Sequence, residues 1–256
     1  MKYLAHDGTR IHYEVDGRGP PLLFSTGFVG TTRMWDGQVA ALSANFTCIR
    51  YDFRGHGASA APADPALYTE ERMLDDMAGV LAQAGAASAA LVGLSLGGYL
   101  SFKFALRHPG RVTQLALLAT GPGFRTPESG LPWKNECLDR ARLLRAEGME
   151  GFMRSAYSHA DTYTPPELMR TLDPIGVANV AEGVMANTLG ADRVAEIAAP
   201  TLLIVGAQDA PFVRGCEYLH RHIRGSRLLV IPGAGHAVNI DAPAQVNAAL
   251  AQFLGG

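Results

Sequence analysis

Gly93-Leu94-Ser95-Leu96-Gly97 decides how this chain is read. The pentapeptide follows an apolar run, Ala89 to Leu94, and opens a helix-like segment, Gly98 to His108. Gly-x-Ser-x-Gly between a strand and a helix describes a nucleophile elbow, a sharp turn that holds the serine hydroxyl clear of a sheet. Glycine is needed two residues to either side, because a Cβ there would collide with the neighbouring strand or helix. Ser95 could instead be a plain helix N-cap, but an N-cap asks for no flanking glycines. Short Gly-Ser patterns arise by chance, so the surrounding pattern must carry the argument.

That pattern alternates. Lys2 to Ala5 and Arg10 to Val15 flank Asp7-Gly8, a hairpin signal. Leu22 to Ser25 and Phe46 to Tyr51 read as strands, with a short helix at Met34 to Leu42 between them. Tyr68 to Ala84 places Met73, Met77, Val80 and Leu81 at helical spacing. Ala89 to Leu94 and Gln114 to Ala119 are apolar strands around the elbow helix. After Thr201 to Gly206 come a helix near Phe212 to His222, the strand Arg227 to Ile231 and a terminal helix, Pro243 to Leu254. The expected fold is α/β: a mostly parallel, eight-stranded sheet with helices on both faces.

Gly121-Pro122-Gly123 interrupts the alternation. From Phe124 to Ile197 the periodicity is helical, with helices expected through Arg140 to Glu147, Glu150 to Tyr157, Pro166 to Leu172 and Val177 to Leu189. An insertion this long after the sixth strand is too large for a plain connection. Residues 124–197 are expected to form a helical cap, and 1–123 with 198–256 the core. Such a cap would lie over the C-terminal edge of the sheet, where open α/β sheets bind ligands.

Ser95 needs a base, and the base needs an orienter. The chain order in this arrangement is Ser, then Asp or Glu, then His. Asp209 follows the strand Thr201 to Gly206, and His236 follows the strand Arg227 to Ile231 in Gly233-Ala234-Gly235-His236. All three residues thus stand at C-terminal strand ends. His236 would move the Ser95 proton, and Asp209 would fix its tautomer. Asp209 also suits the N-cap of the next helix, and Asp241 is a local partner for the His236 loop. An oxyanion would meet the N–H of Leu96 at a helix start and the N–H of Phe28 in the loop Thr26 to Gly30. Trp133, Tyr157, Phe124 and Met153, with Phe152 and Met185, are candidates for lining the pocket, as is His159. For a substrate that carries a dicarbonyl or carboxylate, Arg125 or Lys134 would supply charge near the cap entrance. His56, in a tight turn after a strand, reads as structural.

Composition excludes other classes. Charged residues make up 18% of the chain, the net charge is −2 and no basic run occurs, so neither nucleic acid nor an anionic membrane is an expected partner. No apolar stretch reaches about 18 residues, and the N-terminus lacks a signal-type apolar region. Three scattered cysteines, Cys48, Cys137 and Cys216, suit structural thiols in a reducing cytoplasm. Neither a dinucleotide nor a phosphate-loop glycine pattern occurs, and no histidines have metal-ligand spacing. No cofactor or metal is expected, and the partner is a small molecule.

Nearly the whole chain resembles the α/β-hydrolase fold. Leu22 to Gly30 with Met34-Trp35-Asp36, Tyr51 to Ser59, Gly93 to Gly98, Asp209 and Gly235-His236 carry the likeness. Gly30 through Ser59 is similar to the 3-oxoadipate enol-lactonase branch and its esterase neighbours. Thr26-Gly27 stands where many members have His-Gly, a departure shared with the lactonase-like branch. A serine nucleophile disfavours the haloalkane dehalogenases and epoxide hydrolases, which use a carboxylate. The resemblance implies a cofactor-free serine hydrolase of small esters or lactones. A C–C bond hydrolase or lyase with the same triad, or a hydrolase-like small-molecule receptor, are the alternatives. Fold likeness alone does not choose the substrate.

Overall fold

The computed structural model describes residues 1–158 and 164–255. Its strands are β1 (Lys2–Leu4), β2 (Arg10–Gly17), β3 (Pro21–Ser25), β4 (Thr47–Tyr51), β5 (Ala89–Leu94), β6 (Val112–Leu118), β7 (Thr201–Gly206) and β8 (Arg227–Ile231). They form one sheet in the order β1-β2-β4-β3-β5-β6-β7-β8. β1 and β2 are antiparallel, as are β2 and β4, and every later pair is parallel. The expected eight strands are all present. The first hairpin is looser than the Asp7-Gly8 signal suggests. Five residues separate β1 from β2, closed by Ala5 N–H to Thr9 O at 2.8 Å and Thr9 N–H to Asp7 Oδ1 at 2.9 Å.

The helices are α1 (Asp36–Leu42), α2 (Glu70–Gln83), α3 (Leu96–Arg107), α4 (Leu131–Arg154), α5 (Pro166–Met169), α6 (Pro174–Gly183), α7 (Ala210–His222), α8 (Val238–Asp241) and α9 (Pro243–Gly255). α1 packs on α9, α2 on α3, and α7 on β7 and β8, so the central strands are covered on both faces. β5 and β7 are buried along their whole length, which is why both read as unbroken apolar runs. α2 begins two residues later than its apolar pattern implies, because Thr69 caps it by accepting from Arg72 N–H at 3.3 Å. Cys48, Cys137 and Cys216 are all buried and unbridged, and burial raises the thiol pKa of each. Among the described residues no helix is long and apolar enough to cross a membrane.

Between β6 and β7 the described residues include α4, α5 and α6. α4 is broken at Gly148, whose φ of 65° separates two segments of the single stretch, as the two expected helices require. α4 and α6 pack closely against each other. The start of this insertion meets its later part: Phe124 N–H donates to Thr188 O, and Gly190 N–H donates to Phe124 O, each at 3.0 Å.

The Tyr51–Ser59 stretch knits the turns beneath the sheet edge. Arg54 is 1% exposed and grips Asp76 bidentately at 2.7 and 2.8 Å while reaching Asp7 at 2.9 Å. The Asp52 carboxylate accepts from Thr32 N–H at 2.7 Å and Ala58 N–H at 2.9 Å. These bonds fix the loops on either side of β4 and so the position of the loop after β3.

Candidate active site

Ser95 joins β5 to α3 with φ 55° and ψ −117°, a conformation that costs a non-glycine residue energy. Backbone groups hold the turn. Ser95 N–H donates to Leu118 O at 2.9 Å, and Ser95 O accepts from Thr120 Oγ1 at 2.7 Å. The flanking glycines are sterically required. A Cβ on Gly93 would run into the carbonyl of Gly97, and one on Gly97 would run into the carbonyls of Ser25 and Thr26. The second contact also shows how close the end of β3 lies to the start of α3. That approach brings the Thr26–Gly30 loop beside Leu96, whose amide lies in the first turn of α3, where N–H groups lack helical partners.

Asp209 and His236 lie on neighbouring loops after β7 and β8. Ala207 N–H to Ile231 O at 2.9 Å and Gln208 N–H to Ala234 O at 3.0 Å tie the loops together. His236 Nδ1 is 2.7 Å from Asp209 Oδ2, and both side chains are less than a tenth exposed. The Asp209 side chain makes no capping bond to α7, although it precedes that helix. Phe212 sits one turn further on and lays its ring over the His236 imidazole at 4.5 Å. Asp241 Oδ2 accepts from Gly235 N–H at 2.8 Å, so it shapes the backbone of the histidine loop.

Ser95, His236 and Phe28 line one cavity of about 100 Å³, together with Trp133, Tyr157, Phe152 and Met185. Ser95, Leu96, Phe124, Trp133 and Met185 line a second, of about 320 Å³. Met153 lines neither, a correction to the expected pocket. Successive helical residues point about 100° apart, and here Phe152 faces the cavity while Met153 packs on the core. Arg125 and Lys134 line neither cavity either; Arg125 is bonded to Tyr218 OH at 2.9 Å. His159 falls outside the described residues.

Arg140, which sequence reasoning missed, is a cation lining the smaller cavity. Its guanidinium lies between the Trp133 ring at 5.1 Å and the Tyr157 ring at 5.4 Å, and it pairs with Glu136 one turn back. Its Nε is buried with no hydrogen-bond partner among the described residues. A signal was available: Trp133 and Arg140 are seven residues apart on α4, and so share a face.

Val29 follows Phe28 with φ 58°, an uncommon region for a β-branched residue. Its N–H donates to His56 Nε2 at 3.2 Å, and its carbonyl accepts from Thr164 Oγ1 at 2.8 Å. His56 is fully buried and edge-on to Phe28 at 5.9 Å; burial pushes its pKa from 6.5 down to about 4. Because the neutral ring is favoured in the folded state, the stability it confers is complete above pH 6.5 and lost as pH falls towards about 4. That loss is on the order of 3 kcal/mol. His56→Phe should therefore flatten the acid side of the stability curve. It should also cost roughly 1–3 kcal/mol at pH 7 by leaving the Val29 N–H unpaired. Urea melts at pH 7 and pH 4.5 measure both, and an unaltered acid slope would remove His56 as its source.

A mostly parallel sheet with a serine elbow after a central strand, and a carboxylate–histidine pair at neighbouring strand ends, defines the hydrolase class of α/β proteins. The chain belongs to the alpha/beta hydrolase fold family, whose model matches residues 20–174. It is 29% identical over 259 residues to a pimeloyl-[acyl-carrier protein] methyl ester esterase of Nitrosomonas europaea, covering 92% of this chain and 96% of that one. A Bacillus subtilis protein, provisionally named 2-succinyl-6-hydroxy-2,4-cyclohexadiene-1-carboxylate synthase, is 28% identical over 97% of this chain and 96% of its own. The crystal structure of the enol-lactonase from Burkholderia xenovorans superposes with a TM-score of 0.85, at 28% identity and with full coverage of both chains.

Proposed function

We propose that this protein is a serine hydrolase of small carboxylic esters or lactones, acting through an acyl-enzyme on Ser95. The observation that carries this reading is the 2.7 Å His236–Asp209 contact, with His236 and Ser95 on the wall of one cavity. Asp209 bonds Nδ1, which gives Nε2 the role of base. Ser95 Oγ attacks the carbonyl carbon as Nε2 takes its proton, and the carbonyl oxygen becomes an oxyanion. Leu96 and Phe28 N–H are the donors in this reading, and preorganised donors of this kind are worth roughly 10²–10³ each in kcat. Collapse of the intermediate breaks the C–O bond, and His236 gives its proton to the departing oxygen. A water, deprotonated by His236, then releases the acid. Residues 124–197 act as a cap that sets substrate choice, supported by Phe124, Trp133 and Met185, which line the cavity beside Ser95.

Arg140 narrows the substrate to one with a carboxylate beside the ester or lactone. A buried Nε and two aromatic rings present the guanidinium to the cavity that holds His236. Since His236 protonates the leaving oxygen, the carboxylate belongs on the leaving-group side. The test compares acetoxyacetate with ethyl acetate by titrating released acid. Arg140→Met should lower kcat/KM for acetoxyacetate by roughly 10–100-fold, the worth of a charged hydrogen bond, and change ethyl acetate far less. Equal losses on the two esters would remove the carboxylate role. The same cation favours one second reading, a C–C bond hydrolase or lyase acting on a carboxylated substrate; the Bacillus relative is itself named for a carboxylate product. An enzyme of that kind would turn over carboxylated dicarbonyl compounds and leave both esters intact.

A further inference from the structure

The 320 Å³ cavity also lined by Ser95 has a different character from the Arg140 cavity. Among the described residues no charged side chain lines it. Apart from Ser95, its side-chain hydroxyls are committed elsewhere. Thr120 Oγ1 donates to Ser95 O at 2.7 Å, and Thr188 Oγ1 to Met185 O at 3.3 Å. Tyr99 OH bonds the Glu70 carboxylate and the carbonyl of Leu189. A polar group entering this mostly apolar chamber would exchange water for few partners, none of them charged, which costs free energy. An apolar group would lose nothing and be driven in.

The two cavities adjoin at Ser95. Trp133, Met185 and Phe212 line both, and Trp133 Nε1 donates to Met185 O at 2.8 Å, which pins the indole. His236 lines the Arg140 cavity and not the apolar chamber. The leaving oxygen must face His236 to receive its proton, so the acyl side of the carbonyl faces the other way.

From this geometry we infer that the apolar chamber receives the acyl chain of the substrate, and that the protein prefers esters of medium-length, unbranched, uncharged acids over acetate. The inference rests on the serine-hydrolase reading of Ser95 and adds a substrate class to it. In chemical terms the acyl group transferred to Ser95 Oγ carries the alkyl chain into the chamber. The alcohol, bearing its proton from His236, departs on the Arg140 side.

Gly121 supplies the means to test this. It lines the chamber, its φ is not positive, and a Cβ there would meet only the Gly215 Cα, at 3.7 Å. Gly215 is unsuitable, since its Cβ would press on Thr120 O at 2.9 Å. The experiment measures kcat/KM for p-nitrophenyl acetate, butyrate, hexanoate and octanoate. In the wild-type protein it should rise up to about fourfold per methylene, the worth of one buried CH₂, until the chamber is full. Gly121→Val should then cost hexanoate at least tenfold and acetate no more than threefold, with Gly121→Ala intermediate. A flat wild-type series overturns the inference, as does an equal loss on acetate and hexanoate in Gly121→Ala or Gly121→Val. If the valine variant does not fold, the wild-type series and the alanine variant decide. Labelling by a small serine-directed phosphonate separates the two levels of argument. A labelled Ser95 with a flat series sinks only the acyl chamber, whereas no labelling and no turnover of any ester sinks the hydrolase reading beneath it.

Discussion

Ser95→Ala should abolish ester hydrolysis, lowering kcat by roughly 10⁴–10⁶-fold, and leave the fold standing. The elbow survives the change because its bonds are made by the backbone: Ser95 N–H to Leu118 O, and Ser95 O from Thr120 Oγ1 and Tyr99 N–H. Alanine keeps a Cβ and so inherits the strain of φ 55° without adding to it. The melting temperature should therefore stay within a few degrees of wild type. A serine-directed phosphonate should add a single mass increment to the wild-type protein and none to the variant. Retained turnover in the pure variant, or a label found on another residue, would end the assignment of Ser95 as nucleophile.

What the sequence made legible follows from which physical constraints are local. β5 and β7 lie inside the sheet and must be apolar throughout, so Ala89 to Leu94 and Thr201 to Gly206 stand out without a structure. The glycines around Ser95 are forced by backbone contacts that any strand–turn–helix of this shape would make. That Asp209 and His236 come together was legible because each follows a strand whose end is marked. The pocket was less legible. Whether Phe152 or Met153 faces the cavity depends on how α4 is rotated against α6, a tertiary fact that the apolar pattern does not encode. Arg140 was hidden because an arginine on a helix usually reads as solvated surface. Only the packing of Trp133 and Tyr157 around it turns it inward. Phe212 was passed over as a helix-start residue, and α8 was too short to show a period.

His236→Ala should lose activity about as severely as Ser95→Ala, and the double variant should be little worse than either, because groups that act as one unit do not contribute additively. Asp209→Asn should cost less in kcat, roughly 10²–10⁴-fold, for a reason visible in the geometry. Asp209 Oδ2 lies 2.7 Å from His236 Nδ1, where a carboxylate accepts the ring proton and leaves a lone pair on Nε2. An asparagine can present its amide N–H₂ at the same place, which favours the tautomer with the proton on Nε2 and takes away the base. The fold should tolerate the change, since the Asp209 side chain makes no cap to α7, and the loops stay tied through Ala207 and Gln208. Steady-state kinetics on a reactive ester, together with thermal melts, separates loss of the base from loss of structure. Near-wild-type kcat in Asp209→Asn would mean that another carboxylate orients His236. Asp241 would be the next to replace, and its bond to Gly235 N–H makes a different signature for that variant. Losing it should disturb the loop that carries His236, and so lower stability and activity together, whereas loss of an orienting carboxylate lowers activity alone.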